Sequence, residues 1–223
     1  MKAAAIIVAG GSGKRFGSQT PKQFLTLCGK PVFMWSIETF SSLKIFKQII
    51  LVVPKSSAEY FLKKYKNRMF TVTAGGKERF DSVKNGLALL NENIDFTAIH
   101  DAARPLINKN DILSVLNAAK KTGAAIAAEK TKDTIKIAEN GFVKSTPDRN
   151  LLWNVQTPQI FKTNILKKIY SGKIPKNITD DSMLAEQYGF KVAITETKSP
   201  NLKITDKQDF VLAKQILSSQ SPI

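Results

Sequence analysis

A run of small and apolar residues, Met1-Lys2-Ala3-Ala4-Ala5-Ile6-Ile7-Val8-Ala9, breaks directly into the segment Gly10-Gly11-Ser12-Gly13-Lys14-Arg15-Phe16-Gly17. An unbroken apolar run that ends in closely spaced glycines reads as a buried first strand and the loop that leaves it. Glycines there let backbone N–H groups approach phosphate oxygens with no side chain in the way, which marks Gly10, Gly11 and Gly13 as nucleotide-binding candidates. The segment lacks the Gly-Lys-Ser/Thr ending of a Walker A loop, and Lys14-Arg15 stand where a dinucleotide fingerprint would begin its helix. The loop instead sets two cations beside the phosphates and runs on to Pro21-Lys22-Gln23-Phe24, where Pro21 stiffens the approach of Lys22. Arg15 and Lys22 suit attack at an α-phosphate: charge gathers on the nonbridging oxygens, pyrophosphate leaves as a polyanion, and fixed cations stabilise both.

The rest of the chain excludes several other chemistries. Cys28 is the only cysteine and His100 the only histidine among 223 residues. An intrachain disulfide is impossible, a Cys/His zinc site lacks ligands, and a serine triad would need His100 with no nucleophile elbow in support. His100 reads as a packed or hydrogen-bonded structural residue. No apolar run approaches the roughly 18–20 residues needed to span a bilayer. The N-terminal run resembles a short signal peptide only superficially, because it feeds straight into the loop; a cytoplasmic protein is expected. Lys and Arg outnumber Asp and Glu by 34 to 18, a net charge of +16, which favours polyanionic partners such as nucleic acid or phosphorylated metabolites. The lysines are scattered, and the aromatics fall in core-like stretches such as Phe33–Phe40 rather than between basic clusters. A nucleic-acid-binding protein is therefore the weaker reading.

Strand-like and helical patterns alternate through the first half. Ala4–Ala9, Gln48–Val53 and Thr97–His100 read as strands, and Pro31–Phe40 and Ser56–Tyr65 as helices. Helical spacing recurs at Phe80, Val83, Leu87 and Leu90, and at Ile112, Val115, Leu116 and Ala119. Such alternation predicts an α/β fold, a mainly parallel sheet with helices on both faces and its ligands at the carboxyl edge of the strands. Asp101 and Arg104 follow a predicted strand at that edge; the plainer alternative is a helix cap at Asp101 that pairs with Arg104. After Ala128 the pattern changes. Lys132–Ala138 and Gly141–Lys144 are expected to form two strands around Asn140-Gly141, a strong hairpin signal, within an arm at about 130–155. Trp153 reads as core or interface, and Asp206 as the N-cap of a last helix through Leu217.

Taken in order, the motifs resemble the 2-C-methyl-D-erythritol 4-phosphate cytidylyltransferase family over nearly the whole chain. They are Pro21-Lys22-Gln23-Phe24-Leu25, Gly29-Lys30-Pro31, Gly75-Gly76, Arg79-Phe80-Asp81-Ser82-Val83 and His100-Asp101-Ala102-Ala103-Arg104-Pro105. Asp133-Thr134-Ile135-Lys136, Asp148-Arg149, Leu152-Trp153, Gln156-Thr157-Pro158-Gln159, Thr179-Asp180-Asp181 and Asn201-Leu202-Lys203-Ile204-Thr205 complete the series. The resemblance implies one nucleotidyltransferase domain over 1–223, Rossmann-like and of the nucleotide-diphospho-sugar transferase type, with a projecting β-arm. It implies CTP and a phosphorylated polyol as substrates with Mg²⁺ held mainly by the triphosphate, and neither nucleic acid nor membrane as partner. It also implies a homodimer in which each arm reaches the other active site. By that analogy Arg15 and Lys22 stabilise the transition state while Lys203 and Arg149 hold the acceptor phosphate. Ala9, Gly10, Gly76, Lys77, Ser82 and Ala102 would contact the nucleotide, and Asp101, Arg104, Thr134 and Thr157 the acceptor. The sequence departs from the family at Gly10, where alanine is usual, at Phe16, where methionine is common, and at Lys130-Thr131, in place of a frequent Pro-Val. Lys77 stands where an acidic residue can occur, so base recognition is expected to rest on backbone carbonyls. Enzymes acting on ribitol 5-phosphate share this loop, but they resemble His-Asp-Ser-Val-Arg-Pro where this chain has His-Asp-Ala-Ala-Arg-Pro.

Overall fold

The computed structural model describes residues 1–10, 16, 21–66, 69–175 and 177–220. Strand β1 (Ala3–Val8) is buried almost throughout, as its apolar sequence requires. It pairs in parallel with β4 (Phe46–Val53) on one side and β6 (Phe96–Asp101) on the other, so that Ile6 lies between Ile50 and Ile99. With β5 (Thr71–Ala74), β7 (Ala124–Lys130), β10 (Trp153–Lys162) and β11 (Ala193–Glu196), these strands form a seven-stranded sheet in the order β11-β7-β10-β6-β1-β4-β5. Only β10 runs antiparallel to its neighbours in that sheet. The expected mainly parallel α/β architecture is the one found.

The period-two alternation of the strands divides the core. Ala3, Ala5 and Ile7 pack under α1 (Val32–Ser41), α2 (Lys55–Lys64) and α4 (Lys109–Thr122), with Phe33, Ile37, Phe61 and Leu116. Ile6, Ile50 and Ile99 face α3 (Arg79–Leu87), α5 (Thr163–Ser171) and α6 (Asp181–Gln187). Burying one such Ile or Phe contributes roughly 1.5–3 kcal/mol. A third cluster joins Phe16, Leu27 and Val32 to Ile204, Ala213 and Leu217, which seats the last helix, α7 (Lys207–Gln220). Asp206 accepts the Asp209 N–H at 3.0 Å, the cap expected of it. Helix α4 opens on an Asn108 cap and closes at Gly123, whose φ of +91° suits glycine.

Small strands β2 (Thr26–Leu27) and β3 (Lys30–Pro31) pair before α1. Beyond Lys130 the chain leaves the sheet and returns at Trp153. Between them β8 (Ile137–Glu139) and β9 (Phe142–Ser145) form the expected hairpin, turned at Asn140 and Gly141 with φ of +51° and +84°. The anticipated first strand of this arm is shorter than Lys132–Ala138: Lys132 to Lys136 form no ladder, because no strand lies opposite them.

Gly86 is where α3 crosses β1, and a Cβ there would stand 2.7 Å from Ile6 Cγ2. Alanine favours a helix by about 1 kcal/mol over glycine, yet overpacking a tight core costs about 1–3 kcal/mol. Gly86→Ala is expected to lower the unfolding free energy in urea titrations; a more stable variant would mean that Ile6 yields without strain.

Candidate active site

Three backbone turns meet at the carboxyl edge of the sheet. The Ala9 N–H donates to the Val52 carbonyl at 2.8 Å, Gly75 N–H to Val53 at 2.7 Å, and Ala102 N–H to Val8 at 3.0 Å. Ser82, in the first turn of α3, sits under two of them. Its Oγ accepts the Gly76 N–H at 3.2 Å and donates to the Glu78 carbonyl at 3.3 Å. A Cβ on Gly75 would meet that Oγ at 2.7 Å, and one on Gly76 would meet Asp81 Cβ at 2.1 Å. Glycine is thus required here by the close approach of α3 to the main chain. Buried Gln23 donates to the Ala9 carbonyl at 2.6 Å and ties the 3-10 turn Lys22–Phe24 to the end of β1. Lys77 is exposed beside Gly76.

One strand further along, Asp101 closes β6 with its side chain only 13% exposed. Lys203 Nζ lies 2.7 Å from one carboxylate oxygen and Arg79 Nη2 3.8 Å from the other. Arg79, from the start of α3, also pairs at 2.8 Å with the fully buried Asp181 at the start of α6. The Tyr170 hydroxyl donates to Asp181. Burial alone would raise the Asp101 carboxyl, but the charges of Lys203 and Arg79 outweigh it and hold the group well below the usual carboxylate range. Burial likewise pulls on Arg79, and Asp181 and Asp101 more than restore its charge. Tyr170 is pushed far up by burial and by Asp181, so it stays a donor.

Behind Asp101 runs a chain of neutral hydrogen bonds. His100 is fully buried, with Nε2 3.2 Å from the Arg104 carbonyl and Nδ1 3.1 Å from Thr157 Oγ1. A carbonyl only accepts, so the proton sits on Nε2; Thr157 then donates to Nδ1 and accepts the Asp101 N–H at 3.0 Å. Arg104 Nη1 donates to the Asn201 carbonyl at 2.7 Å, and Asn201 Nδ2 donates to Gln156 Oε1 and the Thr157 carbonyl, both at 2.8 Å. The Ile204 N–H donates to the Ala103 carbonyl at 2.8 Å. These bonds fix the backbone on either side of Lys203. The Thr157-Pro158 peptide is cis, at the break in β10 pairing. Buried polar atoms without a hydrogen-bond partner are rare, yet Arg79 Nη1, Arg104 Nε and Asn201 Oδ1 are three of them.

The structure therefore brings together Asp101, Arg104, Thr157 and Lys203, and beside them Ala9, Gly10, Gly76, Ser82 and Ala102. The alternative pairing of Asp101 with Arg104 is not found: Arg104 serves the Asn201 carbonyl, and Lys203 and Arg79 serve Asp101. Lys22 lies near the start of α7. Burial raises Asp209 there, but hydrogen bonds from Thr205 and Asp206, with the Lys22 charge, hold it low. Gly11, Gly13 and Arg15 lie outside the described residues. Thr134 and Arg149 are exposed on the arm and, among the described residues, make no hydrogen bond or ion pair to the Asp101 cluster. Arg79, Asp181, Tyr170, Gln156 and Asn201 were not singled out as site residues by sequence. For Arg79 a signal existed, since it stands one helical turn before Ser82 on the same face.

Glycine turns at the carboxyl edge of an α/β sheet, with a cation-bound carboxylate at the end of β6, place the chain in the nucleotide-binding α/β class. The family model for 2-C-methyl-D-erythritol 4-phosphate cytidylyltransferase matches residues 3–219. A protein of that name from Endomicrobium trichonymphae is 59% identical over 98% of this chain and 100% of its own. One from Caldanaerobacter subterraneus subsp. tengcongensis is 39% identical over 97% and 99%. Among solved structures, the 4-diphosphocytidyl-2C-methyl-D-erythritol synthase of Anaerococcus prevotii superposes with a TM-score of 0.82 at 31% identity, covering 97% of this chain and 98% of that one. The 2-C-methyl-D-erythritol 4-phosphate cytidylyltransferase of Thermus thermophilus gives 0.80 at 26%, covering 98% and 100%. The chain belongs to the 2-C-methyl-D-erythritol 4-phosphate cytidylyltransferase family.

Burial lowers His100 to about 4 from an ordinary 6.5. An unfolded chain takes up this proton as pH falls through about 6.5, and the folded protein resists until about 4. Stability present above pH 6.5 is therefore lost across that window, by up to ~3 kcal/mol from this group. As His100 is the only histidine, its ring protons should titrate in NMR spectra near pH 4; a midpoint near 6.5 would show the imidazole open to water.

Proposed function

We propose that this chain joins CTP to 2-C-methyl-D-erythritol 4-phosphate, releasing pyrophosphate and forming 4-diphosphocytidyl-2-C-methyl-D-erythritol. The reading rests on family membership over residues 3–219. The observation in the molecule that carries it is the Lys203–Asp101 pair at the end of β6, next to β1, whose Ala9–Gly10 turn meets Ser82. The base would lie against the backbone of Ala9, Gly10, Gly76 and Lys77 with Ser82 at its edge. Ala102 and the loop with Gly11 and Gly13 would follow the ribose and phosphates. Asp101, Arg104 and Thr157 would receive the polyol, and Lys203 its phosphate.

The reaction needs no general base. A phosphate monoester has its second ionisation near pH 6, so the nucleophile arrives charged. What the protein supplies is alignment for in-line attack and fixed positive charge for the α-phosphate, the roles given to Arg15 and Lys22. Among the described residues no group of three or more His, Cys, Asp or Glu is placed to hold a cation. Mg²⁺ is assigned, as the family resemblance implies, mainly to the triphosphate oxygens, where it would neutralise phosphate charge, and no residue role here runs through it.

The arm supports a homodimer with arm exchange. Phe142 and Leu151 are 78% exposed and Val143 63%, and a lone two-stranded hairpin is marginal in water. A second copy would cover these side chains and receive Thr134 and Arg149 beside its own acceptor pocket. We also propose a cytoplasmic setting; no helix among the described residues is long and apolar enough to cross a membrane.

Pyrophosphate release with Mg²⁺ and CTP tests the reading, with methylerythritol phosphate and ribitol 5-phosphate compared as acceptors. Turnover with the first is expected; turnover with ribitol phosphate alone would keep the chemistry and replace the acceptor. Lys22→Ala should lower kcat by at least ~10² with the fold intact, and near-normal turnover would remove Lys22 from the mechanism. Mixing Lys22→Ala with Arg149→Ala chains should restore activity in heterodimers. No recovery after verified subunit exchange would put each site within one chain.

A further inference from the structure

Between the acceptor pocket and the interior runs an ion-pair chain for which the reaction as proposed has no use. Its outer end is Lys203 on Asp101, and its inner end is Tyr170 on Asp181. Arg79 joins the two halves through Nη2, 2.8 Å from Asp181 and 3.8 Å from Asp101, while its Nη1 has no hydrogen-bond partner. Asp181 Oδ2 likewise has no partner of hydrogen-bond geometry, so Asp181 meets Arg79 as an ion pair, the nearer of the two charges on the guanidinium. Asp181 and Tyr170 are 0% and 3% exposed, too deep to touch a substrate. They come from α6 and α5, whereas Arg79 comes from α3 and Asp101 from β6.

The inner end is firmly mounted. Gln159 on β10 donates to the Asp180 carboxylate at 2.8 Å and accepts the Ser182 N–H at 2.9 Å, while Asp180 itself accepts the Met183 N–H at 2.8 Å. The residues on both sides of Asp181 are thus tied to the sheet or to their own helix turn. Buried ion pairs add little net stability and often less than an apolar replacement, so stability is a weak reason for this chain to exist. Its geometry gives a better one, because every link leads to the carboxylate that faces the acceptor.

We propose that Tyr170, Asp181 and Arg79 are positioning residues for the acceptor, a relay in which Tyr170 orients Asp181, Asp181 orients Arg79, and Arg79 holds Asp101 in the rotamer that meets the polyol hydroxyls beside Lys203. The proposal rests on the reading of Asp101 as an acceptor contact. It separates the two substrates: the relay ends at the Asp101 side chain, whereas the nucleotide turns are held by Ser82 and by the backbone carbonyls of Val8, Val52 and Val53. Loss of the relay therefore weakens one substrate and spares the other. The high pKa of Tyr170 agrees, since it remains the donor throughout the working pH range.

The test is a double-mutant cycle in steady-state kinetics on the full chain, varying each substrate at saturating levels of the other. Asp181→Asn is expected to lower kcat/KM for methylerythritol phosphate by about tenfold or more, and Tyr170→Phe by about threefold, with KM for CTP within about twofold of the parent. In an Asp101→Asn background either loss should shrink to less than about twofold, because the residue being positioned no longer responds. Tyr170→Phe removes a single hydroxyl and carries the cycle alone if Asp181→Asn fails to fold. Parallel losses for both substrates, or a loss that persists in full in the Asp101→Asn background, would reduce the chain to a structural support and overturn the proposal. If Asp101→Asn by itself leaves acceptor kinetics unchanged, the acceptor assignment falls first, and the relay falls with it.

Discussion

A carboxylate drawn out of water at the end of β6 sets the terms for everything around it. Desolvation of a charged group costs several kcal/mol unless opposite charge and hydrogen bonds replace the lost water. Asp101 meets that demand with Lys203 on one oxygen and Arg79 on the other. Arg79 is itself largely removed from water and needs Asp181, whose second oxygen in turn needs the Tyr170 hydroxyl. The segment after Asn201, the start of α3 and the start of α6 are thereby drawn to one point by electrostatic necessity. Removing one member of such a chain leaves the next uncompensated, at a cost of about 3–5 kcal/mol.

The strands that flank this point were readable because both their faces are buried. Ala4–Ala9 and Gln48–Val53 are continuous apolar runs, and the structure shortens or lengthens them by only a residue or two. Strand β7 was hidden by composition. Ala124-Ala125-Ile126-Ala127-Ala128 follows α4 after a single glycine, and alanine favours helix over strand. Strands β5 and β11 lie at the two edges of the sheet, where short half-exposed segments lose their apolar signature. In the site, Asp101, Arg104, Thr157 and Lys203 could be named from the family motifs, and they do cluster. Tyr170 lies in no motif, and Asp181, though part of Thr179-Asp180-Asp181, carried no role there, because their contacts with each other and with Arg79 run between helices that no local spacing encodes.

The arm departs from the logic of the rest of the molecule. From Lys132 to Thr146 every residue is exposed, although Ile135, Ile137, Phe142 and Val143 are of the kind that a single chain buries. Exposed apolar side chains grouped in this way mark an interaction surface. The hairpin turn at Asn140-Gly141 pairs β8 with β9 and leaves both faces exposed. Arg149 and Thr134, which the family motifs assign to the acceptor, lie on this arm and away from the Asp101 cluster of their own chain. The exposure of these apolar side chains, and the lack of a hydrogen bond or ion pair from Thr134 or Arg149 to the Asp101 cluster among the described residues, are what the proposed second copy would account for.

A site that handles only phosphates can dispense with groups that titrate near neutral pH, and the charged core of this one does so. Asp101 is held well below the carboxylate range by its cations, Arg79 is kept charged by its carboxylates, and Tyr170 is kept neutral. His100, whose ordinary pKa would place it in the working range, is buried and lowered out of it, and it serves Thr157 and Arg104 as a fixed spacer. The charge pattern around Asp101 is therefore constant across the range in which the acceptor phosphate becomes fully ionised. Any change of rate with pH near neutrality then follows the substrate's own second ionisation, near pH 6 for a phosphate monoester, and not a switch in these groups. With no proton to transfer, the alignment of the acceptor becomes the quantity on which catalysis depends. The bonds from Thr157 and Asn201 fix the backbone beside Asp101 and Lys203.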